Sequence, residues 1–135
     1  MEKKVVELFT DKIRKEAAAL YGTNAEDLKL LGDIENFVYE YSYDNRARIL
    51  RVTHSSHRNE NQIRGEIDWL NYLADNGVPA ARAYDSPQGK LVERVDAPDG
   101  SYFLAASFEK APGRILGPGE WTAELIEEWG RIVGK

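Results

Sequence analysis

The sequence predicts an α+β domain: an antiparallel sheet of about five strands, one helix packed on it, and a flanking helix at each end. Three observations carry that prediction. Segments follow the order helix, extended runs, helix, extended runs, helix, which suits α+β layering better than alternating βαβ units. "NFVYEYSY" and "ARILRVT" flank the tight-turn residues "DNR" at 44–46, so they read as an antiparallel hairpin. Apolar residues recur at helical spacing before 22, between 60 and 75, and again near the C-terminus.

Taken in order, residues 1–21 read as one amphipathic helix with Val5, Leu8, Phe9, Ile13, Ala17 and Tyr21 on its apolar side, stopped by Gly22. Thr23 to Glu26 has capping-box spacing and starts a single turn. "LKLLG" ends a first strand at Gly32, and the two hairpin strands follow. "THSSHRNEN" is a polar loop. A helix runs from about Glu60 to Asp75 and is closed by Asn76, Gly77 and Pro79. Three more extended pieces, "ARAYDS", "KLVERV" and "SYFLAASFE", are separated by the turns "SPQG" and "APDG". "KAPG" breaks the last. A capped final helix places Trp121, Leu125, Ile126, Trp129, Ile132 and Val133 inward.

Composition narrows the function classes. The 135 residues suffice for one domain with a core that needs no staples. A net charge of −5 argues against a nucleic-acid partner, because short Lys/Arg clusters mixed with acids make no basic patch. No long apolar run or signal-peptide pattern is present, so neither a membrane span nor export is expected. The absence of cysteine excludes disulfides and thiolate sites and fits a reducing cytoplasm. His54 and His57 form H-x-x-H in a polar loop; without further ligands they read as solvated side chains and not as a metal site.

Two charges stand where apolar residues are expected. In "ARILRVT", period 2 puts Ile49, Arg51 and Thr53 on one face and Leu50 and Val52 on the other. In the following helix, at about 100° per residue, Glu66 falls about 60° from Ile63, within the apolar arc that runs from Leu73 through Leu70 to Ala74 and Ile67. Either charge alone reads as a snorkelling side chain at a core margin. Both together, on a strand and the helix that directly succeeds it, read as a deliberate Arg51–Glu66 pair. A lone buried charge costs several kcal/mol, on the order of what a good partner restores.

The blocks "LLGDIENFVYEY", "RILRVTHS", "GEIDWLNYLADNGVPAARAYDS", "GKLVE" and "FEKAPG", in that order, resemble the small lobe of the protein-kinase-like fold. The likeness is to the phosphotransferase family of aminoglycoside, choline and type II homoserine kinases, over about residues 27–135. The resemblance implies ATP as cofactor, with magnesium in the full-length enzyme, and transfer of the γ-phosphoryl to a small-molecule hydroxyl. Gly32, Asp33, Ile34, Glu35 and Asn36 match the turn over the nucleotide phosphates, although only one glycine stands there. Arg51 occupies the position of the phosphate-binding Lys, a wider planar cation than the family's usual ammonium. Glu66 matches the helix Glu that orients that cation, and Ile49 the residue against the adenine. Phe108 matches the gatekeeper, while the Glu109 carbonyl and the Ala111 N–H match the backbone groups that bond the adenine edge.

Phosphoryl transfer in this fold also needs a catalytic-loop Asp, an Asn and a metal-binding Asp. Both histidines lie before residue 60, and no His-Asp-type loop follows the final helix; Asp68 in "EIDWL" lies mid-helix on the polar face. The expectation is therefore an N-terminal lobe of a longer enzyme, inactive alone. Its parts are a helix and turn (1–26), sheet plus helix (27–109), and a hinge with the first helix towards the other lobe (110–135). Expected partners are the nucleotide, the C-terminal lobe of the same protein and the hydroxyl acceptor, with homodimerisation of the isolated lobe through the final helix. A pseudokinase-like lobe or a stand-alone α+β binding module is the alternative.

Overall fold

Asp44 and Asn45 take φ of 55° and 63°, the positive pair that a type I′ hairpin turn requires. This turn joins β2 (Phe37–Tyr43) to β3 (Arg46–His54) and sets their register, with Val38 opposite Arg51 and Tyr39 opposite Leu50. The computed structural model that shows this describes residues 2–112 and 117–134. β1 (Lys29–Gly32) pairs with the outer edge of β2 through a register shift between Leu30 and Gly32. On the other side β3 pairs with β6 (Tyr102–Glu109). The far edge of β6 is shared by β4 (Ala83–Tyr84) and β5 (Glu93–Asp96), so six antiparallel strands make a sheet five positions wide. The "ARAYDS" strand contracts to two residues, because β5 occupies the rest of that edge.

Period-2 alternation splits the core into two layers. Leu50 and Val52 on β3, with Phe103 and Ala105 on β6, face the N-terminal helices; Leu104, Ala106 and Phe108 face the opposite way, onto Ile63 and Ile67 of α3 (Glu60–Asp75). α3 starts in a capping box, Asn59 accepting from the Gln62 backbone while the Gln62 side chain accepts from the Asn59 backbone. It ends at Gly77, whose φ of 81° permits the bonds Gly77 N–H to Ala74 O and Val78 N–H to Leu73 O.

The continuous helix expected over 1–21 is instead two, α1 (Lys3–Leu8) and α2 (Asp11–Leu20). The cause is tertiary: Phe9 leaves the helical path to stack on Phe37 at 3.9 Å between ring centres and to meet Phe103 edge-on at 5.4 Å. Thr10 then caps the new helix through Ile13 N–H. The Thr23–Glu26 capping box is not formed; a 3₁₀ turn over Ala25–Asp27 starts after Asn24 with no side-chain cap.

The final helix, α4, spans Ala123–Val133 with Thr122 as its cap. Its apolar residues Trp121, Leu125, Ile126, Trp129 and Val133, read from the spacing as one inward side, are all exposed, the open apolar face through which the isolated lobe was expected to dimerise. Amphipathic spacing forms the helix, but no described residue of the chain covers that face. The "KAPG" break ends at Gly113, outside the described residues, and so does part of the expected hinge. Among the described residues no helix is long and apolar enough to cross a membrane.

Candidate functional site

The strand–helix order brings the two misplaced charges together. Arg51 lies between Val38 of β2 and Ala106 of β6 in the ladder, so its side chain rises from the middle of the sheet on the α3 face. Glu66 stands on the inward stripe of α3, between the buried Ile63 and Ile67. Arg51 Nη1 donates to Glu66 Oε1 at 2.9 Å and Nη2 to Oε2 at 2.7 Å, a two-bond fork. The side chains are 18% and 27% exposed, so the pair borders the solvent without being dissolved in it. The Arg51 guanidinium carbon also rests 4.8 Å from the centre of the Phe108 ring.

A third charge joins the pair: Arg58 Nη1 donates to the same Glu66 Oε2 at 2.9 Å. The hydrogen bonds from Arg51 are the main reason the Glu66 carboxyl is held below the usual carboxylate range; burial opposes them, and the charges of Arg51 and Arg58 add to the lowering.

Arg51 and Glu66 form one wall of a cleft of about 440 Å³. Val38, Ile49, Leu70 and Ala81 make its apolar sides, Phe108 its back, and Glu109, Lys110 and Ala111 its rim. The Lys110 ammonium is tied to Glu40 on β2 at 2.6 Å, which clamps the hairpin to the chain leaving β6. An apolar slot with a fixed cation at one end and backbone at the other suits a ligand with a flat apolar part and an anionic part. Among the described residues no group of three or more His, Cys, Asp or Glu side chains is placed to hold a metal ion.

Six of the residues singled out in the sequence, Ile49, Arg51, Glu66, Phe108, Glu109 and Ala111, line this one cleft. The turn residues are arranged differently. Gly32 faces Val38 across the β1–β2 ladder, and Asn36 accepts a hydrogen bond from Thr53 Oγ1 at 2.8 Å. Asp33 is exposed. Ile34 and Glu35 border a second cleft of about 420 Å³ towards α1, with Glu2, Val5, His54, Ser56 and His57. That cleft contains neither Arg51 nor Glu66, so the first is the candidate site. His54 is a correction to the solvated-loop reading: it ends β3, is 8% exposed, and its ring nitrogens contact the hydroxyls of Ser56 at 2.7 Å and Ser101 at 2.9 Å. His57 does remain at the surface, 3.9 Å from Glu35.

Sequence reasoning missed Val38, Arg58, Leu70, Ala81 and Lys110. Val38 was within reach, since a two-residue turn at 44–45 places it opposite Arg51. Leu70 belonged to the apolar arc that contains Glu66. Arg58 lies in a polar loop without periodicity, and nothing in the pattern distinguishes it from its neighbours.

Comparison with known proteins agrees with this geometry. The model of the phosphotransferase enzyme family matches residues 27–135. The amicoumacin kinase of Bacillus subtilis (strain 168) is 39% identical over 124 residues, covering 92% of this chain and 37% of that protein. A solved structure of an amicoumacin kinase in complex with AMP-PNP, Ca²⁺ and Ami superposes with a TM-score of 0.90 at 36% identity, covering 99% of this chain and 41% of that one. A microcompartment-associated aminopropanol kinase follows at TM-score 0.71 and 27% identity, covering 91% and 38%. The chain thus spans about two fifths of the length of these relatives. With its sheet, its inward Arg–Glu pair and its cleft all in the matched region, the chain belongs to the phosphotransferase enzyme family.

Proposed function

We propose that this chain is the nucleotide-binding half of an ATP-dependent small-molecule kinase, which moves the γ-phosphoryl of ATP to a hydroxyl of its acceptor. The observation that carries the reading is the Arg51–Glu66 fork at the edge of an apolar cleft, in a chain 39% identical to an amicoumacin kinase. In this reading Arg51 binds phosphate oxygens and Glu66 orients it. Ile49 and Val38 pack against the adenine, Phe108 closes the back of the slot, and the Glu109 carbonyl and Ala111 N–H bond the base edge. The turn from Gly32 to Asn36 lies over the phosphates. Its small residue and backbone N–H groups suit close approach to an anion.

The same reading divides the chain into an N-terminal helical segment (1–26), the sheet with α3 (27–109), and a hinge with α4 (110–135). The apolar face of α4 suits the second lobe of the kinase body. Magnesium would accompany the triphosphate; the described residues do not provide a set of ligands for it, and this chain's contribution is to the base and the phosphates. A cytoplasmic setting, where ATP is supplied, fits a chain without cysteine.

The acceptors to try first are amicoumacin and aminopropanol, after the two relatives. The full-length gene product is incubated with ATP, magnesium and each acceptor, and ADP release is followed together with the mass of the acceptor. Acceptor-dependent ADP and a mass gain of one phosphoryl group support the reading. Failure of the protein to bind ATP in calorimetry overturns it.

A further inference from the structure

Glu66 meets two guanidinium cations with a single carboxylate. Oε1 accepts one bond from Arg51, whereas Oε2 is shared by Arg51 Nη2 at 2.7 Å and Arg58 Nη1 at 2.9 Å. Both Nη groups of Arg51 therefore point at Glu66. The fork uses one N–H of each Nη, so three of the five guanidinium donors are left over, and where the carboxylate stands decides which way they point.

Arg58 fixes where that carboxylate stands. It precedes the α3 cap Asn59 by one residue, and its loop is held to the end of β3 by bonds from His57 N–H to His54 O at 2.9 Å and Arg58 N–H to His54 O at 3.4 Å. Its backbone is thus fixed relative to both elements that carry the pair, and its guanidinium does not line the nucleotide cleft. We propose that Arg58 is a positioning residue for nucleotide binding: it holds Glu66 through Oε2, so that the fork fixes Arg51 with its remaining donors kept for a phosphate oxygen. Without Arg58, Glu66 is held by Arg51 alone, and an anion drawn to Arg51 meets a half-buried carboxylate with one cation fewer beside it. Both Coulomb repulsion and desolvation oppose that state. The proposal rests on the reading of Arg51 as the phosphate-binding cation.

Calorimetry on the full-length gene product separates the possibilities by comparing ATP with adenosine, which has the base but no phosphate. Arg58→Ala is expected to weaken ATP binding by about tenfold, the worth of about one charge-assisted hydrogen bond, while adenosine binds within about twofold of the parent. Arg58→Lys restores most of the ATP affinity. In a Glu66→Ala background Arg58→Ala has no further effect, since its target is gone. An ATP loss of equal size in that background shows Arg58 acting on the ligand itself and overturns the proposal, as does unchanged ATP affinity in Arg58→Ala. Arg51→Ala is the control on the underlying reading: if it leaves ATP affinity intact, Arg51 is not the phosphate ligand, whatever Arg58 does.

Discussion

The Arg51 guanidinium lies 4.8 Å from the centre of the Phe108 ring while both of its Nη groups reach Glu66. One side chain is thus held from two directions, by a ring below and a carboxylate beside it, and its position is defined before any ligand arrives. Such preorganisation is what electrostatic catalysis of phosphoryl transfer requires. Arg51→Ala in the full-length gene product is expected to lower turnover by about a hundredfold or more. Arg51→Lys keeps the charge but loses the fork and should fall between the two. Steady-state kinetics with saturating acceptor measure this, and circular dichroism checks that the fold persists. Normal turnover in Arg51→Ala would remove Arg51 from the mechanism.

Acid should act on the same pair. The hydrogen bonds from Arg51 hold the Glu66 carboxyl below the ordinary carboxylate range. A group lowered in the folded state contributes stability that is fully present above its unfolded value and is lost as pH falls through its folded value. The stability difference between the parent and Glu66→Gln should therefore be largest at neutral pH and shrink once the solution is more acidic than ordinary carboxylates. Urea unfolding at a series of pH values tests this. A difference that stays constant across the series would mean that the ionised carboxylate is not what stabilises the pair.

The pair was legible in the sequence because each partner violated a pattern of its own, Arg51 the period-2 face of a strand and Glu66 the apolar arc of a helix. Two independent periodicities converging on one spot carry more information than either. Arg58 broke no pattern, and only the path of the loop from His54 to Asn59 brings it to Glu66. The Lys110–Glu40 clamp was hidden for the same reason, since it depends on where the chain leaves β6. The spacing in α4 specified an amphipathic helix but not what covers it, because burial depends on partners that periodicity does not encode. His54 misled in the opposite sense: a polar loop composition concealed a histidine whose ring meets Phe103 at 4.9 Å.

The break between α1 and α2 is the largest departure from local expectation, and it has a single visible cause. Phe9 stacks on Phe37 and meets Phe103 at its edge, fastening the N-terminal helices to the sheet face opposite the Arg51–Glu66 cleft. Truncation loses both the transferred area and the ring contacts, so Phe9→Ala should cost about 2–3 kcal/mol, below the full core value because Phe9 is only partly buried. Denaturant unfolding provides the number. A cost near zero, with α1 still docked, would mean that Val5 and the α2 stripe hold the segment without Phe9.

Gly32 offers the cleanest separation of function from folding. Its φ lies outside the left-handed region, and a Cβ built there meets no atom within 4 Å. Neither backbone strain nor crowding in the folded chain therefore requires glycine at this position, and an alanine in a strand is slightly better tolerated than glycine. Gly32→Ala should leave unfolding free energy within about 0.5 kcal/mol of the parent. If the turn after β1 closes over phosphates, the added methyl occupies the space they approach through, and ATP affinity should fall by about three- to tenfold while adenosine affinity holds. Calorimetry with the two ligands, beside urea unfolding, decides the matter. Equal affinity for ATP in both proteins would place the phosphates elsewhere and return Gly32 to an ordinary strand end.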